Sequence, residues 1–263
     1  MFGATATAGC LDAFRTGPTT VSDPTTGPGP TTAGPSRVTT VDGHVIDVGS
    51  MDVQASILTM GVHTDVRAYR AASFLRVPVV LGDQSGEPVT DADAYARIRD
   101  GASTSIDGGA SITAHLDHAH DGPGVVLAMA VPTGEYASGE VRLDLGAGNS
   151  IHVPIIRSAL AAFADPPAFA VHGLAIDEPI EGDSLHATVT IENVGGTAGR
   201  FLAELGPTSV SDSPEFHFDV PSHEEVRHDV SVPFTAPGGS GDATIRLDWG
   251  VDQLERSVEV GGS

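Results

Sequence analysis

Residues 185–205 read LHATVTIENVGGTAGRFLAEL, and this stretch decides the predicted fold. Apolar residues occupy every second position from Leu185 to Ile191, which places them on one face of a β-strand. Residues 193–196 are typical of turns, and the alternation then resumes at Phe201, Ala203 and Leu205. The stretch therefore predicts a β-hairpin with one apolar face, which needs a second sheet to cover it.

Short strands are predicted along most of the remaining chain, separated by Gly, Pro, Asp or Ser. They comprise residues 45–48, 52–58, 62–69, 74–81, 94–98, 111–116, 124–131, 141–145 and 151–156, then 169–176, 185–192, 200–205, 215–220, 226–232, 243–249 and 254–260. Residues 91–100 could instead form one short helix. Many short strands with turn residues between them favour β-sandwiches over alternating strands and helices.

The predicted fold class is all-β, with two consecutive immunoglobulin-like β-sandwich domains after a disordered tether. The tether is residues 1–36, because its TGPTTVSDPTTGPGPTTAGP segment cannot bury enough apolar surface to fold. The first domain is predicted at 37–157 and the second at 169–261, the latter with seven strands, the number of an immunoglobulin-like sandwich. Residues 158–168, which contain a Pro-Pro pair, are predicted to link the two domains.

The charge of the chain is strongly acidic, at −22, and all 13 basic residues are arginines. An acidic surface repels nucleic acid and anionic lipid headgroups, so we predict neither as a partner. The composition resembles that of proteins from halophilic archaea. At molar salt the screening length falls to about 3 Å, so dense carboxylates repel each other little. GC-rich codon usage is the alternative explanation.

A motif in the predicted second domain resembles a known family. The segments ATVTIENVGGTAGRFLAELG and FHFDVPSHEEVRHDVSVPF are similar to CARDB-type (cell-adhesion-related) and other immunoglobulin-like modules of archaeal and bacterial surface proteins. The matching positions are Val189, Ile191, Asn193, Gly195, Phe201, Val220, Pro221 and Glu224. The whole chain also resembles haloarchaeal lipoproteins that carry a second β-domain ahead of this one. This resemblance implies a fold and a surface location, but no particular ligand.

The N-terminus contains a candidate attachment site. Residues 7–10, Thr-Ala-Gly-Cys, resemble the lipobox of exported lipoproteins, although an aliphatic residue is usual where Thr7 stands. Nine residues without an arginine cannot hold a complete signal peptide, so this interpretation expects further residues before Met1. Cys10 is the only cysteine and cannot form an internal disulfide. We predict that it carries lipid; the alternative is an ordinary terminus.

Residues 114–121, AHLDHAHD, form the most site-like cluster. Imidazole and carboxylate groups suit a first-row divalent metal, and His115, His118 and His120 are the candidate ligands. A solvated polar loop between strands is the alternative. No G-x-S-x-G elbow or other nucleophile motif occurs, so we predict that the protein is not an enzyme and needs no cofactor.

These observations predict a non-catalytic, extracellular protein with a structural, adhesive or binding role in a halophile. Its expected partner is an unknown protein or glycan at the cell surface. The membrane is involved only through a lipid anchor at Cys10. The alternative function is an exported metal-binding protein that uses His115, His118 and His120.

Overall fold

β-Strands make up most of the structure. A computed structural model describes residues 37–41, 44–60, 63–89, 92–109, 112–120, 122–146, 148–180, 182–235 and 241–261. Within these ranges the chain forms 19 strands and two helices, so the prediction of an all-β protein is confirmed. The predicted tether, residues 1–36 with Cys10, lies outside the described residues.

We call residues 37–163 the first half, 164–168 the connecting segment and 169–261 the second half. The elements of the first half are β1 (Arg37–Val41), β2 (His44–Val48), β3 (Asp52–Gln54), β4 (Ser56–Met60), β5 (Thr64–Ala68), β6 (Ala72–Gly82), α1 (Ala92–Gly101), β7 (Ala102–Ile106), β8 (Ile112–Thr113), β9 (His115–Asp117), β10 (Val125–Pro132), β11 (Gly139–Gly146), β12 (Asn149–Pro154) and α2 (Arg157–Ala162). Those of the second half are β13 (Phe169–Ile176), β14 (Ser184–Asn193), β15 (Gly199–Pro207), β16 (Glu215–Val220), β17 (Glu225–Pro233), β18 (Gly241–Asp248) and β19 (Gln253–Val260).

The first half contains two antiparallel sheets that share one core. One sheet has the order β1-β2-β6-β10-β9, with β3 also paired to β6, and the other has the order β12-β11-β7-β8. Leu75, Leu127 and Leu143 from the two sheets pack together with Phe163, which follows α2. Two sheets with a common core make this half sandwich-like.

The second half has its own core between two further sheets. Their orders are β13-β14-β17 and β16-β15-β18-β19. Val189 of the first sheet and Phe201 of the second are completely buried in this core. The Phe201 ring meets Phe169 edge to face at 5.5 Å between centroids. Such a pair contributes about 0.5–1.5 kcal/mol beyond the burial of its surface.

The predicted hairpin of residues 185–205 is wrong in its pairing, although both of its strands exist. β14 pairs with β13 and β17, whereas β15 pairs with β16 and β18. The two strands therefore belong to opposite sheets and face each other across the core. Alternation predicts which face of a strand is buried, but it does not predict which strand lies beside it. Both strands bury their apolar faces in the same core, as they also would in a hairpin.

Asn193 explains why the chain crosses from one sheet to the other. Its side chain is fully buried and uses its whole hydrogen-bonding capacity. Oδ1 accepts from the backbone N–H groups of Ala168 (3.2 Å) and Gly195 (3.1 Å), and Nδ2 donates to the carbonyls of Thr197 (2.9 Å) and Val220 (3.1 Å). These bonds join the crossing loop to the connecting segment and to the end of β16.

Residues 94–98 are helical, so the predicted strand there is wrong and the short-helix alternative is correct. Ala94, Tyr95 and Ile98 are buried, and their spacing matches one face of a helix. Asp93 lies in the first turn and Arg99 in the last, where each charge opposes the helix dipole favourably. The Tyr95 hydroxyl accepts the backbone N–H of Leu81 (3.0 Å), which fixes α1 to β6.

The predicted interdomain linker, residues 158–168, is partly structured. Residues 157–162 form α2, and its Ala159 and Leu160 pack into the core of the first half. The prediction missed this helix, and it also missed β1 and β7. Residues 52–58 were predicted as one strand but form β3 and β4, with a break at Ala55.

The hairpin β4–β5 lies outside both sandwich-like cores. Ile57 of this hairpin packs on Phe74 and Ala128, which project from the outer face of the β6–β10 sheet. Strands β3, β4 and β5 also contact β15 of the second half. The two halves belong to one compact unit, and this hairpin helps to join them.

Candidate functional site

The candidate lipid-attachment residue, Cys10, lies outside the described residues, so its role stays a prediction. No helix in the described ranges has the length and apolar character needed to cross a bilayer.

Of the three candidate metal ligands, His115 is the first residue of β9, and His118 and His120 lie in the loop after this strand. His115 faces a cation, because the Arg67 guanidinium donates to its Nδ1 (3.4 Å). Burial and this neighbouring positive charge lower the pKa of His115. Since arginine has no acceptor, Nδ1 of His115 serves as the acceptor and its lone pair is occupied.

The other two histidines are not brought to the same point. His118 is exposed, and its backbone N–H donates to Leu58 (2.8 Å). The His120 ring lies against Gly122, where an added Cβ would clash with it. Across the described part of the chain, no three His, Cys, Asp or Glu side chains are grouped so that they could hold a metal ion.

A cavity of about 510 Å³ lies between the two halves, and we call it the interhalf cavity. Residues 55–56, 68–70 and 72–73 line it from the first half, and the connecting segment forms a second wall. Phe201, Trp249 and their neighbours complete it from the second half. Its volume falls within the range of about 300–1,000 Å³ that is typical of small-molecule sites.

Aromatic rings and hydroxyl groups share the lining of this cavity. Tyr69 is 45% exposed although it is a large aromatic residue, and Trp249 is half-buried. Ser56 and Ser73 also line the cavity and are more than 90% buried. Among the described residues, no protein group is hydrogen-bonded to either serine hydroxyl. Neither hydroxyl is among the fully enclosed side-chain atoms that lack a partner in the described part of the chain, which are His44 Nδ1 and Asp47 Oδ1, so both serine hydroxyls remain accessible to water or to a ligand.

Close backbone contacts fix the walls of the interhalf cavity. Gly195 and Gly199 lie against Pro166 and Pro167 of the connecting segment, where any Cβ would clash. Gly250 has φ +84° and approaches the carbonyl of Val66 so closely that an added Cβ would lie 2.7 Å from it. Glycine is required there both for its conformation and for its size.

Hydrogen bonds join the halves beside this cavity. Oε1 of Gln54 accepts the backbone N–H of Arg200 (2.7 Å), and the Arg200 guanidinium donates to the carbonyl of Ala119 (3.0 Å). Arg70 donates to the carbonyl of Val251 (3.0 Å). The relative position of the halves is therefore set by bonds from three separate strands or loops of the first half.

An ion-pair network whose Arg76–Asp117 pair is buried lies next to this contact. Nε of Arg76 donates to Asp117 (2.6 Å), and a second nitrogen of Arg76 donates to Asp52 (3.1 Å). Oδ1 of Asp117 accepts the backbone N–H groups of Leu58 and Ala119, both at 3.0 Å. Desolvation raises the pKa of Asp52, and the positive charge of Arg76 opposes that rise. The network connects β3, β6 and β9 to the β4–β5 hairpin.

Glu204 is a second buried carboxylate, and it lies on the outer face of β15. Its Oε1 accepts the backbone N–H of Val66 in the β4–β5 hairpin (3.2 Å). Burial raises its pKa to about 7, and the negative charges of Asp248 and Asp65 add to the rise. Glu215 also stands directly opposite Glu204 on the neighbouring strand β16. The surroundings of Glu204 therefore favour the neutral form more than those of an exposed glutamate do.

The sequence prediction missed the interhalf cavity and Glu204. The sequence contains one related feature. Leu202 lies between the core residues Phe201 and Ala203, so alternation places it on the outer face of β15, and yet it is apolar. Leu202 is 2% exposed, so β15 is buried on both faces. A single apolar residue on a predicted solvent face is common, so Leu202 alone does not predict that this face is covered.

In comparisons with known proteins, no protein-family model matches this chain and no curated protein matches it significantly.

Proposed function

We propose that this protein is a non-catalytic, cell-surface-anchored binding protein of a halophile, and that its ligand binds in the interhalf cavity. The observation that carries this proposal is the cavity itself, with its ligand-sized volume and the two largely buried serines in its lining. Among the described residues, the lining contains one carboxylate, that of Asp165, and no His, Cys or Lys. This wall offers no acid–base pair, which favours binding over catalysis.

The strand order of the second half supports the immunoglobulin-like part of the proposal. Counted within this half, β13 to β19 are the first to seventh strands. The first pairs with the second and the second with the fifth (β13-β14-β17), and the third pairs with the sixth and the sixth with the seventh (β15-β18-β19). An immunoglobulin constant-type sandwich has the same pairings, except that its fourth strand pairs with the fifth. The first half also packs two sheets against each other. It differs from the immunoglobulin strand order because it contains α1 and the additional β4–β5 hairpin.

The positions that resemble CARDB-type modules have structural roles in this half. Val189, Ile191 and Phe201 are fully buried, and Asn193 directs the crossing between sheets. Gly195 fits only because it lacks a Cβ. These roles support membership in that group of surface modules.

Ligand stabilisation tests the binding role. We would measure thermal unfolding in molar KCl with sugars, amino acids, small alcohols and organic anions. A ligand at about 100 times its Kd should raise the midpoint by about 5–10 °C. Ala164 is an exposed residue of the lining, so Ala164→Phe, which adds a large side chain there, should reduce this rise, whereas Ala161→Phe on the exposed side of α2 should not. A rise that Ala164→Phe leaves unchanged, or no rise with any class, would contradict the proposal.

Membrane partitioning tests the anchor. Cys10→Ser should move the protein from the detergent phase to the aqueous phase after expression in a halophilic host. Unchanged partitioning of this variant would show that Cys10 does not carry lipid.

No observation on the described residues favours the metal alternative. Equilibrium dialysis with Zn²⁺ and Cu²⁺ tests it directly. One tightly bound ion per chain, lost in His118→Ala/His120→Ala, would establish that alternative.

A further inference from the structure

We infer that the interhalf cavity binds a neutral sugar residue, an inference that rests on the proposed function and specifies its ligand class. Three properties of the cavity carry it: its local charge, its aromatic rings and the hydroxyls of its two serines. The charge argues against ionic ligands, the hydroxyls argue against wholly apolar ones, and the aromatic rings match the apolar face of a sugar ring.

Local charge argues against a strongly ionic ligand. Among the described residues of the lining, Arg70 is the only cation, and it is already engaged by the carbonyl of Val251 (3.0 Å) and by Asp252 (3.7 Å). Within the same residues, Asp165 is the only carboxylate. At molar salt the screening length is about 3 Å, so these near groups outweigh the net charge of −22. A phosphate or a polyamine would find no cluster of opposite charge.

The aromatic faces match the apolar side of a sugar ring. Tyr69 and Trp249 border the cavity from opposite halves, and neither is fully buried. An aromatic face is electron-rich, so it attracts the partly positive C–H groups on the flat face of a pyranose. Such contact supplies affinity without ionic charge.

The serine hydroxyls match the polar side of the same ring. Ser56 and Ser73 are buried and have no protein partner among the described residues. A hydroxyl both donates and accepts, as does every hydroxyl of a sugar. A wholly apolar ligand would displace water from these groups and leave them unsatisfied, which disfavours it.

The fluorescence of Trp249 gives a direct test, because it is the only tryptophan in the chain. The full protein would be titrated in molar KCl with glucose, galactose, mannose and N-acetylglucosamine, and with their methyl glycosides. Glucuronate, glucosamine and cyclohexanol would serve as anionic, cationic and apolar probes. We expect saturable changes with at least one neutral sugar. Binding of its methyl glycoside as well would indicate a glycan terminus, whereas binding of the free sugar alone would indicate a monosaccharide.

Variants separate the cavity from the rest of the surface. Ser56→Ala/Ser73→Ala should weaken sugar binding about tenfold through two lost hydrogen bonds. Tyr69→Ala should weaken it by a similar factor. The control Ser231→Ala/Ser257→Ala changes two exposed strand serines and should leave the Kd unchanged.

The outcomes distinguish this inference from the proposed function. Saturable binding of cyclohexanol or glucuronate without any neutral sugar would overturn the sugar inference and leave the binding role standing. Sugar binding that both the serine and the Tyr69 variants retain in full would place the sugar elsewhere and overturn the inference too. No response to any probe, with no thermal stabilisation, would overturn both.

Discussion

Asp117 and Glu204 are buried to nearly the same extent, at 5% and 7% exposure, yet their surroundings are opposite. Asp117 accepts a 2.6 Å bond from Arg76 and two backbone N–H bonds. Glu204 accepts one backbone bond and has Asp248 and Asp65 as neighbours. Both carboxylates hold the β4–β5 hairpin, through Leu58 and Val66 respectively.

The difference shows that burial alone does not decide what a charge contributes. Asp117 is paired with the Arg76 guanidinium and accepts two backbone N–H groups. Glu204 lacks a close cation in hydrogen-bonding contact, although Arg246 lowers its pKa to a smaller degree. The hairpin is thus held by one compensated charge and by one group that resists ionisation.

Removal of the compensating cation should have the largest effect. Arg76→Met leaves Asp117 buried without its ion-pair partner, which should reduce the free energy of unfolding by about 3–5 kcal/mol. Denaturant unfolding in molar KCl measures the change. The matched control is Arg142→Met, because Arg142 pairs with Asp144 at 3.1 Å on the exposed face of β11. Its expected cost is within about 1 kcal/mol, and equal costs for both variants would contradict the comparison.

Salt should have the next largest effect. The surface carboxylates repel over about 30 Å at 0.01 M salt and over about 3 Å at 1 M. We therefore expect KCl to add about 3 kcal/mol of stability between millimolar and molar concentrations, a large share of a typical margin of about 5–15 kcal/mol. Thermal unfolding across that range measures the rise. A midpoint of thermal unfolding that does not change with KCl concentration would mean that codon usage alone explains the acidic composition.

Glu204 should make stability depend on pH. Its pKa is about 7 in the folded protein against an ordinary value of 4.5. Between these values the unfolded chain releases the proton and the folded protein keeps it, so stability falls as pH rises through the window and levels off above about 7. Glu204→Gln should remove this fall and stabilise the protein at pH 8 by about 2 kcal/mol after allowance for screening.

Thermal unfolding of both proteins from pH 4 to pH 8 measures this effect. The exposed control Glu135→Gln should leave the profile unchanged. Because desolvation is the main cause of the raised pKa, the advantage of Glu204→Gln should persist in molar KCl. A variant whose pH profile overlays that of the natural protein would show that Glu204 is ionised at no cost.

The smallest effect is expected for the exposed ion pair between the halves. Arg70 and Asp252 are 3.7 Å apart, and their side chains are 77% and 62% exposed. Asp252→Asn keeps the acceptor for the backbone N–H of Gln253 and removes the charge. We expect a change within about 0.5 kcal/mol in denaturant unfolding. A loss of stability as large as that expected for Arg76→Met would mean that exposed and buried ion pairs do not differ in their contribution.

Local patterns predicted the strands well but not their partners. β13 and β16 have the predicted bounds, because alternation and turn residues are local properties. The pairing of β14 with β17 joins residues about 40 positions apart, and no local pattern encodes that choice. Residues 94–98 contain too few apolar positions to separate a strand from one side of a helix.

The candidate site was less predictable than the fold. Sequence proximity drew attention to His115, His118 and His120, but the structure gives each a different environment. The interhalf cavity is built from segments that are far apart in the sequence, so no motif marks it. Leu202 is an apolar residue on a predicted outer face and is buried in the structure, but a single residue of this kind does not mark a covered face.

Hydrogen exchange with a bound ligand tests the central claim, that the two halves form one binding site at the interhalf cavity. The protein would be compared with and without the sugar that stabilises it most. We predict slower exchange in residues 68–73, 164–169, 194–202 and 249–251 together, with no change in residues 139–154. Protection confined to one half, protection centred on residues 139–154, or no protection at saturating sugar would contradict the claim.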